Sequence, residues 1–191
     1  MNTPTHVATS LLVWRKEPDW NSVAAVVAGA FLPDAPMFGF YGYQRIWAGR
    51  TESEIWSKLY FDPAWQLFFD LFNSIPIALV LIVVCHLTGF RLAKILCASA
   101  LLHMCCDLPV HHDDAHRHFL PLSNWRFESP LSYWDPKHYG IPFAIAELVF
   151  AISACFFVGW KAVAKSMRVA AYSTLAFYGV GIGFALYFWI L

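Results

Sequence analysis

The chain has 191 residues, of which 59% are hydrophobic and 18% aromatic against only 14% charged, with a formal net charge of zero. A mean hydropathy of +0.50 is too apolar for an ordinary soluble domain of this size and places the chain in a bilayer, in contact with membrane lipids. The balanced charge and the lack of any basic block exclude a nucleic-acid partner.

In chain order, the run from Val7 to Trp14 is short, has no basic segment before it and is followed by Arg15-Lys16, so it reads as a half-length helix rather than a removable signal. Thr3 is its expected cap and Pro4 suits its first turn, which leaves His6 near the amino end. Five apolar segments follow, Ser22 to Tyr41, Ser74 to Phe90, Leu92 to Val110, Tyr139 to Trp160 and Val169 to Leu191. Each is close to the roughly 20 residues that cross a hydrocarbon core. Between the first two, the loop from Gly49 to Phe69 places Ile55, Trp56, Leu59 and Tyr60 at helical spacing, the pattern of an interfacial helix. Residues 120 to 140 mix proline, tryptophan and tyrosine with Arg126 and Lys137, which favours an irregular lid at the membrane surface. The expected fold is an all-α polytopic bundle, a single integral membrane domain of about five transmembrane helices with the half-helix and the interfacial helix added.

Cys85, Cys97, Cys105, Cys106 and Cys155 all lie in apolar segments, where free cysteine behaves as a small hydrophobe, and no disulfide framework is implied.

Threading these segments back and forth puts Arg15, Lys16, Arg91, Lys94, Lys161, Lys165 and Arg168 on short connections at one face. Basic residues on short loops favour the cytoplasm, so the long loops are expected on the periplasmic side. The same threading brings His6, Asp34, His103 and Asp107 to the long-loop face, together with Asp135 and His138. His103 and Asp107 are four residues apart and share one helix side. Pro109 discourages the helix from continuing, which frees the stretch HHDDAHRH to fold back over them.

Imidazoles and carboxylates at this density are the ligand types of Zn²⁺ and similar divalent ions. The candidate ligands are His6, Asp34, His103, Asp107, His111, His112, Asp113, His116 and His118. Asp114 is the candidate general base, and Arg126, with Arg117 beside the cluster, is a candidate for a phosphate or carboxylate. Glu147 lies deep in an apolar segment, where an unpaired carboxylate is expensive; a hydrogen bond to a neighbouring helix is the favoured reading, with a ligand-orienting or relay role as the other. Asp70 and Asn73 are expected to cap the second long segment or to orient ligands.

The histidine in TPTH, the following LPD, the H-x-x-x-D at a segment end and the FLPLSNWRF stretch together resemble the bacterial inner-membrane-bound metal-dependent hydrolases, of which the LexA-regulated group is an example. In that resemblance His6, Asp34, His103 and Asp107 match the presumed metal ligands. The family's HRGxTHS element has no counterpart, because no histidine stands between His6 and His86; HHDDAHRH is the candidate replacement. The resemblance implies a membrane-embedded hydrolase of the bacterial inner membrane. One or two divalent ions, zinc by preference, and a phosphoester of a lipid or other small amphiphile suit a ligand-rich site at headgroup depth. The alternatives are a metal-ion transporter or sensor, and a non-catalytic protein with a structural metal.

Overall fold

The computed structural model describes the backbone of residues 1–190 and side chains as far as Val180. Among the described residues the secondary structure is helical throughout, without a strand. The elements are α1 (Thr3–Val13), α2 (Trp20–Phe31), α3 (Ala35–Gly42) extended by a π turn at Tyr43–Trp47, α4 (Glu52–Glu54) extended by a π turn at Ile55–Leu59, α5 (Pro63–Phe72), α6 (Ile75–Leu87), α7 (Arg91–Asp107), a 3₁₀ turn at Pro136–His138, α8 (Gly140–Lys161) and α9 (Lys165–Ile190).

Among the described residues two helical stretches are long and apolar enough to cross a membrane, Pro63–Leu87 and Gly140–Lys161, or three if the bent pair Trp20–Phe31 and Ala35–Trp47 counts as one. The segment expected from Ser22 to Tyr41 falls within this pair, whose two helices bend by 64°. Pro33 and Pro36 explain the break, since each lacks a backbone N–H and restricts the residue before it. α7 spans 17 residues, shorter than the segment expected from Leu92 to Val110. The last residue of the fifth expected segment, Leu191, lies outside the described residues. The outer surface of α6 is apolar and open: Val80 is 62% exposed and Leu87 78%, in a helix that is apolar all round.

The helix expected in this loop forms as α4 and its π turn, started by a capping box between Thr51 and Glu54. Ile55 and Tyr60 turn inward and pack with Phe40 and Phe69 as an aromatic cluster between α3, α4 and α5. Residues 120 to 135 are irregular. They are tied down by backbone bonds from Ser129 N–H to the His111 carbonyl and from Tyr133 N–H to the Val110 carbonyl, each 2.9 Å.

The main core joins α1, α2, α7, α8 and α9 through Leu11, Val26, Ile95, Val158 and Met167. α2 and α7 approach unusually closely at Gly29, where a Cβ would lie 2.2 Å from the Leu96 carbonyl oxygen. Small residues permit such backbone proximity between apolar helices. Ser99 strengthens the junction by donating to the Val26 carbonyl at 2.7 Å and meeting Ser10 Oγ at 3.0 Å, so α1, α2 and α7 are joined at one depth.

Candidate metal centre

Above this three-helix junction, each helix contributes one end to a common point. α1 brings His6, the α2–α3 corner brings Asp34, and the last turn of α7 brings His103 and Asp107. The i, i+4 spacing places the latter pair side by side, with His103 Nε2 2.9 Å from Asp107 Oδ2. His6 Nε2 lies 2.9 Å from Asp107 Oδ1, and His103 Nε2 lies 3.5 Å from Asp34 Oδ1. The His6 and His103 rings stack with centroids 3.5 Å apart. One ligand atom from each of His6, His103 and Asp107 lies within 4.8 Å of the others, and all three residues are buried.

The tautomer of His103 defines what this point requires. Its Nδ1 lies 2.7 Å from the Ala30 carbonyl, which can only accept, so the ring proton is on Nδ1. In the neutral ring Nε2 then presents a lone pair to two carboxylates, a repulsion relieved either by a proton on Nε2 or by a cation between them. Both nitrogens of His6 and Nε2 of His103 are buried without a hydrogen-bond partner, despite their short approaches to Asp107. Buried polar atoms seldom remain unsatisfied. Orphaned nitrogens, a fixed tautomer and a shared carboxylate fit a divalent ion that takes nitrogen and oxygen ligands, so the cluster could hold a metal ion.

The loop after α7 folds back as its sequence suggests and adds a second tier. His111 Nε2 lies 3.4 Å from Asp107 Oδ1, while its Nδ1 lies 3.0 Å from Asp114 Oδ2. Burial lowers the His111 pKa, but the Asp107 and Asp114 carboxylates outweigh it and raise the group to about 9. Burial pushes Asp114 up, yet the hydrogen bond and charge of His111 hold it below the usual carboxylate value. His118 is different: burial and the neighbouring His116 lower it to about 4. Its Nδ1 faces the Asn73 carbonyl at 2.9 Å, leaving a buried Nε2 without a partner.

A cavity of about 460 Å³ opens beside this tier. Asp34, His111, Asp113, Asp114 and His116 supply its polar wall, and Phe38, Trp56, Tyr60, Phe61, Tyr133 and Trp134 its aromatic one. The segment of α4 with its π turn and the irregular loop thus line the same opening.

Three sequence candidates, His112, His118 and Arg126, line neither the three-residue cluster nor this cavity. His112 turns its Nδ1 to the Ser129 carbonyl at 2.7 Å and stacks on His138, 3.7 Å between centroids, so it braces the loop. His138 is in turn held by Asp135 at 2.7 Å. Arg126 lines a neighbouring cavity with Arg117 and Gln66 instead of the larger one.

Several supporting residues receive sharper roles than the sequence assigned. Asp70 lies inside α5, not at the opening of the second apolar helix, and is fully buried. It accepts from His116 Nδ1 at 3.1 Å and from Arg117 Nε at 2.5 Å. Glu147 accepts from the Asn2 backbone N–H at 2.6 Å and from Asn2 Nδ2 at 3.1 Å, which agrees with the favoured reading of a bond to a neighbouring helix. Asn2, not Thr3, is the N-cap of α1; the Thr3 hydroxyl instead donates to Asp34 Oδ2 at 2.5 Å. The signal for Asp70 and Glu147 was an ionisable residue inside an apolar helix. Nothing in a sequence marks the carbonyls of Ala30 and Asn73.

No protein-family model, curated protein or solved structure matches the chain.

Proposed function

We propose that the protein is a membrane-embedded, metal-dependent hydrolase acting on a phosphoester of a lipid or similar amphiphile, as its resemblance to the inner-membrane hydrolases implies. The observation that carries this reading is the His103 tautomer, which aims an unpaired nitrogen at Asp107 and Asp34 inside a buried cluster. His6, His103 and Asp107 would hold the ion, with Asp34 and His111 nearest to complete its shell. A divalent ion bound there, zinc by preference, supplies Lewis-acid polarisation and draws the pKa of water towards neutrality. Asp114, lining the cavity with Oδ1 unpartnered, is placed to accept the proton of an attacking water, and His111 keeps it ionised. The aromatic wall suits the apolar part of an amphiphile.

In this reading α7 and α9 join the apolar helices to make about five membrane crossings of a bacterial inner membrane, with the site on the periplasmic face. The cluster's position at one end of the bundle favours hydrolysis over transport, and Glu147, the carboxylate inside α8, is engaged by Asn2 at that same end. The test is phosphoester turnover by protein purified in detergent, with and without chelator, and for His103→Ala. Loss in both arms supports the proposal; a wild-type rate surviving both removes it.

A further inference from the structure

We propose that the smaller cavity beside α5 is a binding site for the phosphate head of an anionic lipid. This cavity, of about 420 Å³, is lined by Phe61, Pro63, Gln66, Leu67, Arg117 and Arg126. Two guanidiniums face one carboxylate there: Arg117 Nε and Arg126 Nη2 approach Asp70 Oδ2 at 2.5 and 3.6 Å. Asp70 neutralises one positive charge, and the other is left over. Arg126 Nη2 also donates to Gln66 at 3.2 Å, but among the described residues the Nη groups of Arg117 and the Nε and Nη1 of Arg126 have no protein acceptor. Planar guanidiniums with spare paired donors bind phosphate oxygens well.

The position selects a lipid rather than a free anion. Pro63, Gln66 and Leu67 belong to the first turns of the membrane-crossing stretch Pro63–Leu87, so the arginines sit at the level where headgroups lie. Beyond the cavity the same helix presents Leu67, Phe68 and Leu71 outward, 46%, 42% and 43% exposed. A ligand with its phosphate between the arginines could lay its chains along this apolar strip. Trp125 and Phe127 flank Arg126 on the irregular loop and are partly exposed, as interfacial aromatics are. The inference rests on the membrane reading of Pro63–Leu87 and is independent of hydrolysis.

The test is lipid retention by the purified full-length protein in chelator, read by mass spectrometry, so that turnover plays no part. Phosphatidic acid is compared with phosphatidylcholine, and inorganic phosphate serves as competitor. The expected result is at least a tenfold preference for phosphatidic acid, lost in Arg126→Gln and reduced in Arg126→Lys, which keeps the charge but not the paired donors. Lys161→Gln, at the opposite basic face, should retain the preference. Equal retention of the two lipids, an unchanged preference in both Arg126 variants, or inorganic phosphate binding as tightly as phosphatidic acid would each overturn the proposal. Arg126→Lys decides the matter should Arg126→Gln not fold.

Discussion

The Ala30 carbonyl accepts the Nδ1 proton of His103 at 2.7 Å, and that one bond determines the character of the buried cluster. In the neutral ring it leaves the other nitrogen as an acceptor directed at Asp107. Tautomer control by a backbone carbonyl is how metal-binding histidines are commonly held.

Elemental analysis of protein purified without chelator should find at least one equivalent of a divalent metal. His6→Ala and His103→Ala should each weaken its affinity at least tenfold, and Asp107→Asn should do the same by removing the shared carboxylate. Metal content unchanged in all three variants would contradict the site.

Gly29→Ala places a methyl group 2.2 Å from the Leu96 carbonyl oxygen and 2.7 Å from Ser99 Cβ, so α2 and α7 must separate. Overpacking of this kind typically costs about 1–3 kcal/mol. Because Ala30 and His103 straddle the same contact, thermal stability and metal affinity should fall together. Gly39→Ala, which meets nothing within 4 Å, is the control and should leave both close to wild type.

Glu147→Ala leaves the Asn2 backbone and side-chain donors without their acceptor, releasing the start of α1 from α8. A loss of about 1–2 kcal/mol is expected in a denaturation series, from two part-buried hydrogen bonds broken. Glu147→Gln keeps an acceptor for the backbone N–H and should recover most of that stability.

Chelator-treated protein should be most stable near pH 6.5. His118, lowered to about 4 by burial and His116, stays neutral in the folded chain while the unfolded chain takes up a proton, so stability is full above pH 6.5 and falls between 6.5 and 4. His111, raised to about 9 by Asp107 and Asp114 against its burial, holds its proton longer in the folded chain, so stability falls between pH 6.5 and 9. Melting temperature measured against pH should show both limbs. His118→Gln should flatten the acid limb and His111→Gln the alkaline one.

Much of this site was legible because it follows from alternation. Once the chain is read as apolar segments joined by loops, the amino end of α1, the α2–α3 corner and the carboxyl end of α7 must share a face, and His6, Asp34, His103 and Asp107 travel with them. Their separation to within hydrogen-bonding distances was not legible, because it depends on Gly29 and Ser99 drawing three helices together. The dense stretch after α7 misled in part. Equal spacing in sequence suggested equal roles, but the fold turns His111 to the cluster, His112 to His138 and His116 to Asp70.

Composition and periodicity alone determined that the chain is helical, that it holds helices apolar enough to cross a membrane and which end of the bundle gathers its imidazoles and acids. Tertiary structure decided which nitrogen of each histidine is committed and which is available, and that two arginines face a separate cavity. The reason is physical: hydropathy is a property of each residue, whereas a tautomer depends on which carbonyl or carboxylate another helix brings within about 3 Å.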